Sequence, residues 1–203
     1  RPVIRRGGAH CGRNDENRHM AVSAEEQMMI DTVAKFIDDD VRPRVNRVEH
    51  ADEYPEAWIQ TMKDMGIFGL AIAEPWGAGK VSTEAYALIT QELARGWMSL
   101  AGAMGGHTVV AKLIADFGTD AQKETYLPRM ATGELRATMA LTEPGGGSDL
   151  QAIRTTAVRE GDDYVISGSK TWITNARRSD LIALLCKTDP HAEPRHAGIS
   201  IIL

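Results

Sequence analysis

Between residues 24 and 134 apolar side chains recur at three- and four-residue spacings, and beyond Gly133 they fall into short runs rich in Ile, Val, Thr and Leu. The first pattern is that of amphipathic helices and the second that of strands. Met28, Met29, Ile30, Val33, Phe36, Ile37 and Val41 form one stripe behind Ser23, a helix cap followed by Glu25 and Glu26 in the first turn. Pro43 ends or kinks this helix. A second helix over residues 55–65 carries Trp58, Met62 and Met65 on one side and stops at Gly66. Residues 67–74 read as an extended apolar stretch closed by the loop Pro75-Trp76-Gly77-Ala78-Gly79.

A third helix starts near Ser82 and carries Tyr86, Ile89, Leu93 and Trp97. The fourth, residues 100–117, contains Ala101, Gly102, Ala103, Gly105 and Gly106. Each helical Gly costs about 1 kcal/mol relative to Ala, so this set implies close approach of another helix or a ligand. Room for a bulky or branched group at Gly102, Gly105 and Gly106 is one version of that idea. A fifth helix follows Thr119-Asp120 and ends near Gly133. His107 is read as a hydrogen-bonded structural residue, with shaping of a pocket as the alternative. The methionines are read as core filling.

Strands are expected over residues 136–142, 153–160, 163–167, 171–174, 181–187 and 199–203, with turns at Gly161-Asp162-Asp163, Gly168-Ser169 and residues 175–180. Helices followed by strands make an α+β chain rather than alternating βαβ units. The expected division is a helical domain over residues 20–134 and a partial antiparallel, barrel-like β-domain over residues 135–203. Residues 1–19, with five Arg, three Gly and no apolar period, read as an extension ahead of a start at Met20. The sequence stops inside an unprotected apolar strand, residues 198–203, so an N-terminal piece of something longer is expected.

Composition narrows the function. With 203 residues, 43% hydrophobic and 25% charged, the chain can bury a core. Continuous apolar runs such as residues 181–186 fall short of the roughly 20 residues a bilayer requires, so no membrane span is expected. A net charge of −5 without a long basic cluster argues against a nucleic-acid reader. Two distant cysteines, Cys11 and Cys186, make neither a disulfide framework nor a zinc site, and a reducing, cytoplasmic setting is expected.

Two segments carry chemistry. In Leu141-Thr142-Glu143-Pro144-Gly145-Gly146-Gly147-Ser148-Asp149, consecutive glycines let backbone N–H groups approach an anion, and Thr142 and Ser148 offer hydroxyls. A flexible hairpin loop is the plainer alternative. Neither G-x-x-x-x-G-K-[ST] nor a strand-to-helix G-x-G-x-x-G is present, which disfavours P-loop and Rossmann enzymes. In Gly168-Ser169-Lys170-Thr171-Trp172-Ile173-Thr174-Asn175, a strand would put Trp172 and Thr174 on one face, suited to a flat heterocycle. A core Trp beside an exposed Thr is the competing reading.

Together, Thr142-Glu143-Pro144 with Gly147-Ser148-Asp149 and then Lys170-Thr171-Trp172-Ile173-Thr174-Asn175 closely resemble the acyl-CoA dehydrogenase family. Phe117-Gly118-Thr119, Tyr126-Leu127-Pro128 and Gly66-Ile67-Phe68-Gly69-Leu70 extend the likeness over about residues 22–203. The resemblance implies FAD as cofactor and α,β-desaturation of an acyl-CoA thioester, with acyl-CoA oxidases and nitroalkane-type oxidases, or a non-catalytic interaction module, as alternatives. It implies a flavin site built from Met139, Leu141, Thr142, Gly147, Ser148, Trp172, Ile173 and Thr174. Thr142 would bond toward the ring, Gly147 and Ser148 toward the pyrophosphate, Trp172 would pack on the isoalloxazine and Thr174 would donate near N5. Ser148 would also touch the acyl-CoA. An electron-transferring flavoprotein or similar acceptor and a homo-oligomer are the implied partners. The family's catalytic Glu lies in a C-terminal helical domain outside this sequence, and Glu143, part of the flavin loop, is not its substitute. No catalytic residue is therefore expected in this chain.

Overall fold

The computed structural model describes residues 22–203, so the expectation for residues 1–19 lies outside the described residues. The helices come first: α1 (Ala24–Phe36), α2 (Val45–His50), α3 (Glu56–Asp64), α4 (Thr83–Gly96), α5 (Met98–Phe117) and α6 (Asp120–Ala131). The strands follow: β1 (Ala137–Ala140), β2 (Thr156–Glu160), β3 (Asp163–Ser167), β4 (Leu181–Lys187) and β5 (Ile199–Ile202).

Local signals set the helix ends. Ser23 and Glu26 form a capping box, and the second oxygen of the Glu26 carboxylate accepts from Ser82 N at 2.6 Å. One acidic residue thus caps α1 and holds the start of α4, which Ser82 caps through Ala85 N. Thr119 and Gln122 repeat the box at α6. Past Phe36 the helix widens for one turn, Ile37–Val41, which buries Ile37 and Val41 before Pro43 stops it. The short α2 was not anticipated.

Two further differences have physical causes. Residues 67–74 are curled rather than extended: Gly66 turns in the left-handed region at φ 72°, a single tight turn covers Ile67–Gly69, and Ile67, Phe68 and Ile72 are buried. Burying three large apolar side chains outweighs their preference for an extended backbone. Met28, Met29 and Met98 are exposed, whereas Met62, Met104 and Met130 fill the core.

Helices first and a sheet after is the expected order. The sheet itself is open. β2 and β3 pair antiparallel from Thr156↔Ser167 to Glu160↔Asp163, and β4 pairs antiparallel with β5 from Leu184↔Ile202 to Lys187↔Ile199. β1, however, runs parallel to β4, Ala137↔Leu181 through Ala140↔Leu184, because the long crossover between them carries the β2–β3 hairpin. The expected strand at residues 171–174 is absent from the sheet; the segment is a loop with Trp172 at φ 58° and Asn175 at φ 65°.

Two apolar clusters form the core. One lies among the helices around Ile37, Ile59, Met62, Phe68, Leu93, Leu100 and Met104. The other joins Val110, Ile114, Leu127 and Met130 to Ala137 and Ala183 of the sheet. α5 feeds both. Among the described residues it is also the one helix long and apolar enough to cross a bilayer, a property that run lengths concealed because its small and polar residues interrupt every run. Its buried face fills the two clusters here.

Where the clusters meet, His107 of α5 is fully buried, bonded through Nε2–H to the Met130 carbonyl (3.1 Å) and through Nδ1 to Ala137 N–H (3.3 Å). It is a structural residue, as expected. Beside it the buried Arg136 donates to Tyr54 Oη at 2.6 Å and lies 5.1 Å from the Phe68 ring centre.

Candidate functional site

The two segments singled out by sequence meet as adjacent loops. Loop 141–149 follows β1, loop 168–175 lies between β3 and β4, and a backbone bond joins them. Thr171 N donates to Thr142 O at 2.9 Å, and Thr138 Oγ1 of β1 donates to Thr174 O at 2.6 Å. Loop 168–175 and β1 lie near α5, where the side chain of Thr174 sits 3.7 Å from the position a Cβ on Gly102 would take and Thr138 3.6 Å from that of Gly106. A Cβ at Gly102 or Gly106 would make only ordinary van der Waals contact with Thr174 or Thr138, whereas Gly105 faces open space.

In loop 141–149, Glu143 and Gly146 exchange backbone hydrogen bonds of 3.0 and 3.1 Å and close a tight turn. Positions where side chains at Gly145 and Gly146 would stand are open, and Gly147 lies against Thr142. Among the described residues, the N–H groups of Gly147, Ser148 and Asp149 have no hydrogen-bond partner, and Ser148 is exposed. A row of unpaired amides with a hydroxyl can receive an anion. Leu141 and Thr142 are half-buried. Met139 packs against the second core cluster, while its neighbour Thr138 reaches the other loop.

In loop 168–175, Trp172 is 88% exposed and Thr174 is exposed, while Ile173 is half-buried. Trp172 is thus neither a core residue nor a strand residue paired with Thr174 on one face. A large aromatic ring turned to solvent is available for stacking. Ile173 and Thr174 also border a cavity of about 830 Å³ that reaches Tyr54, Trp97 and Ser99. A smaller apolar recess of about 430 Å³, lined by Ala140, Ile173, Ile182 and Leu184, lies on the sheet.

Beneath the loops lies a buried ion pair that motif reading did not single out. Lys170 Nζ donates to Leu141 O (2.8 Å) and to Glu143 Oε1 (3.0 Å), with the two side chains 9% and 8% exposed. The Glu143 carboxylate also accepts from Arg154 N (2.6 Å), Thr155 N (2.9 Å) and Thr155 Oγ1 (2.6 Å). Burial alone would push this carboxyl up, but the Thr155 hydroxyl, the two amides and Lys170 outweigh it and hold it down at about 2. A carboxylate so stabilised is a poor proton acceptor, and the expectation that Glu143 is no catalytic base has a physical footing. The sequence signal was there, a Glu and a Lys within the two motifs, but their pairing spans 27 positions.

The exposed indole, the hydroxyls of Thr142 and Thr174, and the unpaired amides of residues 147–149 suit a ligand with a flat heterocycle and an anionic group. FAD has both, and this donor set fits it. Family models for the acyl-CoA dehydrogenase N-terminal and middle domains match residues 23–134 and 138–203. The chain is 38% identical over 181 residues to the (2S)-methylsuccinyl-CoA dehydrogenase of Cereibacter sphaeroides, covering 88% of this chain and 33% of that enzyme. It superposes on an acyl-CoA dehydrogenase from Geobacillus kaustophilus with a TM-score of 0.81 at 38% identity, covering 90% of this chain and 48% of that one. An acyl-CoA dehydrogenase from Bacillus anthracis complexed with FAD gives a TM-score of 0.73 at 33% identity over 82% of this chain and 29% of its own. The chain therefore spans less than half the length of these relatives. Sequence, fold and loop chemistry agree: this chain belongs to the acyl-CoA dehydrogenase family, flavin oxidoreductases that bind FAD and act on CH–CH bonds.

Proposed function

We propose that loops 141–149 and 168–175 bind FAD and that the protein desaturates an acyl-CoA thioester between Cα and Cβ. The observation that carries this reading is that an exposed Trp172 and the unpaired amides of Gly147, Ser148 and Asp149 stand on two loops that the Thr171 N–Thr142 O bond ties together. In this reading the Trp172 indole packs on the flavin ring, Thr142 and Thr174 donate to it, and Gly147 and Ser148 hold the pyrophosphate. Met139, Leu141 and Ile173 complete the surroundings through backbone and apolar contact, and Ser148 also meets the acyl-CoA. When bound, FAD supplies the hydride acceptor for the reaction.

The chain's own residues orient and exclude water. The two carboxylates of loop 141–149 are engaged elsewhere, since Glu143 is committed to Lys170 and Thr155, and Asp149 Oδ1 accepts from Gln151 N. We assign removal of the α-proton to a carboxylate outside the described residues, on a homo-oligomer that passes electrons to an electron-transferring flavoprotein. Gly105, with open space where a side chain would stand, leaves room for the acyl chain beside α5.

Titration of the protein with FAD tests the first half of the reading. One flavin per chain with quenched flavin fluorescence is the expected result, and failure to take up FAD refutes it. Reduction of the bound flavin by an acyl-CoA tests the second half. A Gly105→Leu variant should shift the preferred chain length, and an unchanged profile would remove Gly105 from the acyl site.

A further inference from the structure

We infer that Glu143 and Lys170 are positioning residues for the cofactor: their buried pair clamps the two loops together and holds Trp172 in a left-handed backbone conformation before any ligand arrives.

Trp172 has φ 58°, a region that bulky residues avoid and that persists only where the surroundings impose it. Its own side chain does not impose it, being 88% exposed. The constraint must come from the flanking backbone, and there the ties are dense. Two residues before Trp172, the Lys170 ammonium joins the Leu141 carbonyl to the Glu143 carboxylate. One residue before it, Thr171 N is bonded to Thr142 O. Two residues after it, Thr174 O is bonded to Thr138 Oγ1. Every one of these partners belongs to β1 or loop 141–149.

Glu143 is in turn fixed from behind by Arg154 N and by Thr155. Thr155 is also the residue on which Gly168 sits: a Cβ at Gly168 would stand 2.7 Å from both Cα and Cβ of Thr155. Glu143, Thr155, Gly168 and Lys170 thus form a closed ring under the site. With both charges buried, the carboxylate accepting four hydrogen bonds and the ammonium donating two, the pair is a rigid mount rather than an acid or a base. Its role toward FAD rests on the reading proposed above; its grip on Trp172 does not.

Lys170→Met and Glu143→Gln test the inference by two readouts. The first is hydrogen exchange of the Thr171 amide without ligand, which should speed up about tenfold or more when the clamp is cut. The second is FAD binding to the protein, expected to weaken about tenfold or more, with the bound flavin regaining fluorescence as Trp172 leaves its place. The double variant should be little worse than the worse single one, since both remove one connection. Unchanged Thr171 exchange and FAD affinity within twofold of wild type, even with a lowered melting temperature, would make the pair merely structural and overturn the inference. Should Lys170→Met not fold, Thr155→Val removes one bond to Glu143: a smaller loss in both readouts supports the clamp, and no change in either defeats it. A wild-type protein that takes up no FAD refutes the flavin reading and the cofactor role with it, while exchange at Thr171 still decides whether the clamp holds.

Discussion

Acidification from pH 7 to pH 4.5 should cost this protein stability through one imidazole. His107 is fully buried between α5, α6 and β1, with an Nε2–H that donates to Met130 O and an Nδ1 that accepts from Ala137 N–H. Its neutral form satisfies both partners, whereas a second proton on Nδ1 would face the Ala137 N–H. Burial pushes its pKa down to about 4; the Arg136 charge acts in the same direction and the Met130 carbonyl opposes it. In the unfolded chain the same group titrates near 6.5. The folded value is the lower one, so this contribution is complete above pH 6.5 and is lost as pH falls toward 4, while the unfolded chain takes up a proton that the folded one refuses. A gap of about 2.5 units at 1.36 kcal/mol each is about 3 kcal/mol, most of it gone by pH 4.5. Urea unfolding at half-unit steps from pH 7.5 to 4.5 reads this directly. A His107→Gln variant, whose amide can donate to Met130 and accept from Ala137, should be nearly flat over that window. Equal pH slopes for the two proteins, or an NMR titration of His107 centred above 6, would refute the reasoning.

Below that window a second group takes over. Glu143, held at about 2 in the fold against about 4.5 unfolded, contributes stability that is present above pH 4.5 and disappears toward pH 2. Glu143→Gln should flatten this acid limb in a urea series yet cost about 3 kcal/mol at pH 7, because it strands Lys170. Gly168→Ala should cost about 2–3 kcal/mol, since its side chain would run into Thr155; a loss under 0.5 kcal/mol in the same assay would show that the ring beneath the site yields easily. Trp172→Gly should move stability and function in opposite directions. Relief of the left-handed backbone raises the melting midpoint of the ligand-free protein by the equivalent of about 1 kcal/mol, while FAD binding weakens. A destabilised Trp172→Gly protein would mean that the indole packs on the protein after all.

The longer helices were legible because their causes are local. Ser23, Ser82 and Thr119 announce their helices within one turn, and the apolar spacing behind each carries the burial. The segment at residues 171–174 misled for the opposite reason. Thr, Trp and Ile favour strands, but the conformation is dictated by Thr142 and Thr138, about 30 positions earlier, and by Lys170, whose partners lie equally far off. Residues 67–74 were misread likewise, because burial of Ile67, Phe68 and Ile72 decides their path. At the site, residue types announced the chemistry. Which of them are turned outward, as Trp172 and Ser148 are, and which are locked beneath, as Glu143 is, emerges only from the packing.

The sharing of α5 between two cores bears on how relatives can be recombined. A chimera joined near residue 135 looks natural, since helices lie before it and strands after. Such a joint would pair one parent's Gly102 and His107 with the other parent's Asn175 and Ala137, groups that meet at hydrogen-bond distance. Grafts that carry α5, α6 and β1 together keep that seam intact and place the crossover in the exposed chain before Ser82. Between parents about 38% identical, the position of the joint, more than the choice of parent, should decide whether a hybrid folds.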